Sequence, residues 1–178
     1  TSAETVIARE IVDSVLKLVF DNSPYTEFDK RIGIDLAAGG DENCVTMVQG
    51  VKILKEIAFR ETDTEITADR IYHILSHDLK LQKTHDFIFA DDGGVGKAII
   101  DKLVRRGWRI HRVLNQSAAI NKSQFGNRGA ENWYRVCRLI QEGLIDLTGA
   151  SNKTIEQLTS RKYRNVNPSA KLYLESKA

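Results

Sequence analysis

Two aspartates stand where an acid is costly. Asp35 lies in Gly33-Ile34-Asp35-Leu36-Ala37 and Asp91 closes Phe87-Ile88-Phe89-Ala90-Asp91, so both have apolar flanks. A carboxylate in such a setting needs a compensating partner. If the two runs are neighbouring strands, acids 56 positions apart meet at one edge of the strand ends. Carboxylates held that close repel unless a cation joins them. Mg2+ or Mn2+ is the chemistry to expect, because hard ions take oxygen ligands and a pair of them can hold the attacking water and the leaving oxygen of phosphodiester hydrolysis. Asp41, in the turn after the first run, is expected to face the same ions, through water if not directly. Asp92 is the rival of Asp91, since adjacent strand residues point to opposite faces. The sequence leaves that choice open.

Other chemistries fit less well. The stretch Asp91-Asp92-Gly93-Gly94-Val95-Gly96-Lys97 lacks the first Gly and the final Ser/Thr of a P-loop, and Ile99 stands where a dinucleotide fingerprint needs its third Gly. Its glycines are better read as keeping a strand-to-helix turn low, where a phosphate can approach the helix N-terminus. His73 and His77 are four apart but lack the intervening Glu of a zinc helix, so a solvated face is expected. Cys44 and Cys137 lack ligand spacing and are expected to be buried, inert thiols of a reducing compartment. Trp108 and Trp133 are expected in the core.

The elements that would position these groups follow from periodicity. Apolar residues at helical spacing over residues 6–20 predict a helix of about three turns. Residues 21–30 form a connector, and the folded unit begins near Arg31. Residues 32–37, 44–49 and 51–59 read as strands joined by short turns, which forces antiparallel pairing. A helix over 63–80, with Ile66 inward, leads to a strand over 85–90, a helix over 95–106 with Val104 inward, and a strand over 108–114. That is a βαβ unit, hence parallel pairing. A polar loop over 115–126 precedes helices near 129–142 and 152–160, and the tail beyond Lys162 is basic and weakly patterned. The order predicts an α/β protein with a mixed five-stranded sheet, three antiparallel strands then two parallel ones, with helices on both faces: a ribonuclease-H-like fold.

The 178 residues, 42% hydrophobic and 28% charged, suit one soluble globular domain, and no run of 18 apolar residues suggests a membrane span. A chain that opens on Thr1, with no signal peptide, is expected to be a piece of a longer protein. Residues 1–94 hold 10 Lys/Arg against 18 Asp/Glu, while residues 95–178 hold 16 against 6. An acidic half for metal and a basic half for phosphate is the pattern of a metal-dependent nucleic-acid enzyme. Lys122 in the polar loop, with Arg128 and Arg135 on the helix that follows, are the residues expected to grip a DNA backbone.

These motifs resemble the C-terminal nuclease domain of the large terminase subunit of tailed bacteriophages. Gly33-Ile34-Asp35-Leu36-Ala37 with Gly39-Gly40-Asp41 is similar to that family's first acidic motif. Asp91, Gly94, Val95 and Gly96, with Leu103 downstream, are similar to the second. Asn127-Arg128 with Glu131 and Trp133, and Gly143-Leu144-Ile145 before Gln157-Leu158, resemble further signatures, and the likeness runs from about Thr5 to the end. The resemblance implies a metal-dependent endonuclease that cuts concatemeric viral double-stranded DNA during packaging, in the host cytoplasm. It further implies Asp35 and Asp91 as catalytic metal ligands for two Mg2+ or Mn2+ ions, with Asp41 nearby. Implied partners are double-stranded DNA, the small terminase subunit, the portal protein and an ATPase domain of the same polypeptide. On that reading residues 1–30 are a helix and connector from a preceding domain, and residues 31–178 are the nuclease domain. The family takes a third carboxylate from a later motif, here expected beyond Ala178. Two alternatives remain: a non-catalytic DNA-docking module of a packaging motor, or another ribonuclease-H-like enzyme such as a junction resolvase.

Overall fold

The computed structural model describes residues 5–20, 25–37, 41–165 and 171–175. The chain divides into two compact units, Ser23–Val113 on the one hand and Thr1–Asn22 with Leu114–Ala178 on the other. By composition the first unit holds 14 Lys/Arg against 15 Asp/Glu and the second 12 against 9. The charge contrast between the two halves of the sequence therefore does not carry over to the units of the fold.

In the first unit a short 3-10 turn (Tyr25–Glu27) leads into β1 (Lys30–Asp35), β2 (Glu42–Gln49), β3 (Lys52–Arg60), α2 (Thr64–His73), β4 (Ile88–Asp91), α3 (Val95–Arg105) and β5 (His111–Val113). The sheet order is β3-β2-β1-β4-β5. β1 and β3 flank β2 antiparallel, whereas β4 lies parallel to both β1 and β5, which is the mixed sheet expected from the sequence. Ile32, Ile34, Val45, Ile88 and Ala90 project from one face and bury against Ala68, Ile71, Leu75, Ile99, Ile100 and Leu103 of the helical layer. The alternation of β1 and β4 is thus the period of a sheet with one face in a core.

Several boundaries move, for identifiable reasons. β1 stops at Asp35 instead of running to Ala37, because the Ala37 amide leaves the ladder and donates to Oδ1 of buried Asn43. Asp35 is therefore strand-terminal, not mid-strand. Asp63 caps α2 by accepting from the Glu65 and Ile66 amides, and this start leaves Ile66 exposed, contrary to expectation. The helix expected to reach residue 80 widens into a π-helical turn at Ile74–Asp78. Val104, placed inward by periodicity, is also exposed. Trp108 is in the core as expected, but the amide of Trp108 donates to the Leu103 carbonyl, so it belongs to the turn after α3 and not to β5.

The second unit contains α1 (Arg9–Leu16), α4 (Arg128–Gln141), α5 (Asn152–Ser160), β6 (Tyr163–Asn165) and β7 (Leu172–Leu174). α1 is shorter than expected: Val6 and Ile7 are buried ahead of it, and Val6 donates to the Arg161 carbonyl in a strand-like contact. β6 and β7 pair antiparallel, a hairpin the sequence did not announce. α1 packs on α4 and α5, burying Val12, Val15, Cys137, Ile140, Ile155 and Leu158. Trp133 is only half-buried, beneath the Arg161 guanidinium. No helix of the described residues is long and apolar enough to cross a membrane.

Burial pushes the Cys137 thiol up to about 11 and, with added repulsion from Cys137 and Tyr134, the Tyr163 phenol up to about 12. Both groups keep their protons in the fold at pH values where the unfolded chain releases them. Stability is then intact below the ordinary thiol value and falls as pH rises toward 11 and 12. A plot of Tm against pH is expected to turn down above about pH 9. In Cys137→Ala the early part of that decline should flatten; an unchanged slope would contradict the assignment.

Candidate functional site

The site begins with strand register. β1 and β4 pair Ile32 with Ile88, Gly33 with Phe89 and Ile34 with Ala90, so the next step sets Asp35 beside Asp91. Neighbouring strands lie about 4.8 Å apart, and in-register residues of parallel strands share a face. Ile32, Ile34, Ile88 and Ala90 take the core face. Gly33, Asp35, Phe89 and Asp91 therefore occupy the other, with both acids at the C-terminal strand ends. The strand register thus brings the sequence-predicted pair to the ends of adjacent strands, where each acid offers the oxygen donors that hard divalent ions prefer.

On its other side Asp35 pairs with Cys44 of β2. This cysteine is half-buried rather than buried, and its Sγ lies 3.7 Å from the Thr46 hydroxyl. Burial raises the thiol above its ordinary range, the Thr46 contact opposes this, and the negative charges of Glu56, Asp35 and Glu42 add to the rise. Cys44 and Glu56 thus share the electrostatic surroundings of Asp35, which spacing alone did not suggest. Asp41 is exposed at the head of β2, three residues before Cys44; residues 38–40, including the Gly39-Gly40 of the motif, lie outside the described residues. Among the described residues no three His, Cys, Asp or Glu side chains gather closely enough to hold an ion.

Asp91 is fixed by the turn that follows it. Its Oδ1 accepts from the Gly93 amide at 3.2 Å, and Gly94 takes a positive φ of 56° as the chain reverses into α3. A Cβ on Gly96 would lie 2.3 Å from the Asp91 carbonyl oxygen, so α3 starts against the last strand residue at a distance only glycine permits. Asp92 has different partners. Its amide donates to the Val113 carbonyl and its carboxylate meets Arg112 at 2.8 Å. Arg112 also holds Asp101, which Lys97 and Arg112 together keep below the usual carboxylate range. The two acids thus differ in their surroundings: Asp91 shares a face with Asp35, and Asp92 belongs to a surface ion-pair network. Asp92→Asn is accordingly expected to leave any metal-dependent cleavage within about threefold of wild type, a change of under about 1 kcal/mol. A loss comparable to that of an Asp91 variant would overturn the distinction.

The basic residues around α3 and β5 are largely matched by acids. Lys102 meets Glu65, Arg106 meets Asp69 and Arg109 meets Asp86. The three residues expected to contact DNA lie in the second unit, and two of them, Arg128 and Arg135, pair with a residue to which the sequence assigned no such role, Glu131. Its carboxylate is fully buried and accepts from the Ile120 amide at 2.8 Å, the Asn121 amide at 3.0 Å, Arg128 Nη1 at 3.3 Å and Arg135 Nη2 at 3.4 Å. Burial alone would raise this carboxyl, but the two amides and two guanidiniums outweigh it and hold it below the ordinary glutamate range. Lys122, the next residue after Asn121, is exposed. One buried acid thus pairs with both Arg128 and Arg135, and its contact with the Asn121 amide fixes the backbone next to Lys122. The bracketing of Glu131 by arginines at −3 and +4 on a helix was the available signal.

Asn127 caps α4 by accepting from the Ala130 amide at 2.9 Å, while the Arg128 and Gly129 amides donate to the Ser117 and Asn115 carbonyls. The α4 N-terminus is therefore satisfied internally and offers no free amides to a phosphate.

No family model matches the chain, and no curated protein matches it. Solved structures do. A variant of the nuclease domain of the large terminase subunit gp2 of bacterial virus Sf6, with manganese and beta-thujaplicinol, is similar at a TM-score of 0.72 and 15% identity, covering 97% of this chain and 88% of that one. The large terminase nuclease from thermophilic phage G20c with bound magnesium is similar at 0.65 and 13%, covering 100% and 90%. The large terminase nuclease domain of Thermus phage P74-26 is similar at 0.62 and 13%, covering 96% and 85%. The chain has the fold of these nuclease domains.

Proposed function

We propose that this chain is the nuclease domain of a phage large terminase subunit, a divalent-metal-dependent endonuclease acting on double-stranded DNA. The observation that carries the reading is the in-register placement of Asp35 and Asp91 on one face at the ends of adjacent parallel strands. It gains weight because the same fold holds manganese and magnesium in the similar nuclease structures.

Asp35 and Asp91 would hold Mg2+ or Mn2+, two ions in the full site, with Asp41 contributing directly or through water. Ions bound there would supply an activated water and neutralise charge on the leaving oxygen of a phosphodiester. The protein's own part is positional. The β1/β4 ladder fixes the separation of the carboxylates, and the Gly93 amide and the close approach of α3 fix Asp91. Lys122, Arg128 and Arg135 would engage the DNA backbone. The reading also proposes residues 31–178 as the nuclease domain, with residues 1–30 the helix and connector that follow an ATPase domain. It proposes genome packaging in the host cytoplasm as the setting, with the small terminase subunit and the portal protein as partners.

The test is cleavage of supercoiled plasmid with Mn2+ or Mg2+, with EDTA as control, followed by comparison of duplex and four-way-junction substrates. Metal-dependent nicking and linearisation of plain duplex are expected. Salt-sensitive binding without cleavage by a chain extended past Ala178 would instead favour a docking module of the packaging motor, and preference for junctions would favour a resolvase.

A further inference from the structure

Ile120 stands out in the second unit as an exposed aliphatic in a polar turn whose backbone is tied down on both sides. It is 65% exposed, although its neighbour Ala119 is 3% exposed and packs with Phe125 and Ala130. The Ile120 and Asn121 amides are tied to buried Glu131. The Asn121 side chain accepts from the Ser123 hydroxyl and the Gln124 amide, closing the turn from within. Both flanks are anchored as well, through Ser117 and Asn115 to the first turn of α4 and through Gln124 and Gly126 to Leu172 of β7. A lone exposed aliphatic on a loose loop would be ordinary. Here it sits in a turn whose backbone is held by a buried carboxylate; the same carboxylate pairs with Arg128 and Arg135, and exposed Lys122 follows two residues on. An exposed apolar side chain in one turn with Lys122, backed by the Arg128 and Arg135 pair on the helix that follows, is complementary to a polyanion with an apolar interior. Duplex DNA is such a surface: its phosphates take the cations, and its base steps admit an aliphatic wedge from the minor groove.

We propose that the loop of residues 117–124 is a preformed duplex-DNA reading element, in which Glu131 locks the backbone so that Ile120 enters the minor groove and parts a base step while Lys122, Arg128 and Arg135 hold the flanking phosphates. The inference rests on the reading of this chain as a DNA-acting protein and deepens it by naming how the duplex is held. Glu131 is a positioning residue in this scheme: it acts through the loop, and its Gln counterpart retains an acceptor but not the charge that draws in both amides and both guanidiniums.

The experiment uses short duplexes carrying 2-aminopurine, titrated with the whole chain in EDTA so that binding is read without cleavage. Fluorescence anisotropy gives affinity and its salt dependence, and 2-aminopurine intensity gives unstacking. Wild type is expected to bind with a rise in 2-aminopurine emission. Ile120→Ala should abolish that rise and weaken binding about tenfold, the worth of one aliphatic side chain removed from water, with the salt slope unchanged. Lys122→Ala should keep the rise and lower the salt slope by about 1. Glu131→Gln should lose the rise while circular dichroism still shows a helical fold, and Glu131→Asp should recover part of it. If Ile120→Ala binds and unstacks like wild type, or wild type binds without unstacking, the wedge is overturned while metal-dependent plasmid cleavage still supports the nuclease reading. If wild type neither binds duplex nor cleaves plasmid with Mn2+, both fall together.

Discussion

Replacing Asp35 or Asp91 by Asn is expected to lower metal-dependent plasmid cleavage by at least about 10³-fold while the fold is retained. The size follows from what the ions supply. Charge stabilisation by a bound divalent ion is worth several kcal/mol in the transition state, and each 1.36 kcal/mol is a factor of ten. Asn preserves shape and strand fit but removes the negative charge, so metal affinity should fall together with rate, measurable as loss of Mn2+ binding by calorimetry. Thermal stability should hold, because Asn keeps the shape and strand fit of Asp at both positions. Asp41→Asn is expected to cost less, roughly 10- to 100-fold, as for groups that support a metal from outside its direct ligands. Undiminished cleavage by both the Asp35 and Asp91 variants would sink the assignment.

Gly96→Ala should be the most damaging conservative change near the site, although it adds one methyl group and removes no chemistry. The new Cβ would lie 2.3 Å from the Asp91 carbonyl oxygen, and a backbone atom cannot rotate out of the way. Either α3 or the end of β4 must shift. Overpacking of this kind costs about 1–3 kcal/mol, which for a chain of this size lowers Tm by about 2–4 °C per kcal/mol. Cleavage should fall too, because the displaced residue is Asp91 itself. Gly33→Ala is the matched control: it lies in β1 on the face of Asp35, and no heavy atom lies within 4 Å of its would-be Cβ. It should be neutral or stabilising by up to about 1 kcal/mol through the unfolded chain. Equal behaviour of the two variants in thermal melts would refute the packing argument.

The contrast shows what the sequence carried. The adjacency of Asp35 and Asp91 was legible because an acid interrupting an apolar alternation is visible in one dimension, and the order of strands and helices sufficed to make β1 and β4 neighbours. The different surroundings of Asp91 and Asp92 were not legible, since they depend on Arg112 reaching across from β5 to pair with Asp92. Glu131 had helical arginines at −3 and +4 as a clue, but the groups that bury it are the amides of Ile120 and Asn121, and backbone donors leave no mark in a sequence. The β6/β7 hairpin escaped for a similar reason. Its strands are three residues each, and the pairing of Leu172 with the chain near Phe125 joins positions far apart in sequence. Cys44 was misjudged because strand β2 turns it to the face of Asp35 instead of into the core.

Leu172 donates to the Gln124 carbonyl and accepts from the Gly126 amide, while the Tyr173 ring occupies the space a side chain on Gly126 would need. The loop that ends at Gly126 is therefore completed by residues synthesised much later. During translation the segment around Ile120 and its Glu131 anchor leave the ribosome well before Leu172 and Tyr173, which supply its last tether. In the finished protein the same tether makes the two segments open as one cooperative unit, so the amides of Gly126 and Leu172 should exchange with solvent deuterium at a common rate.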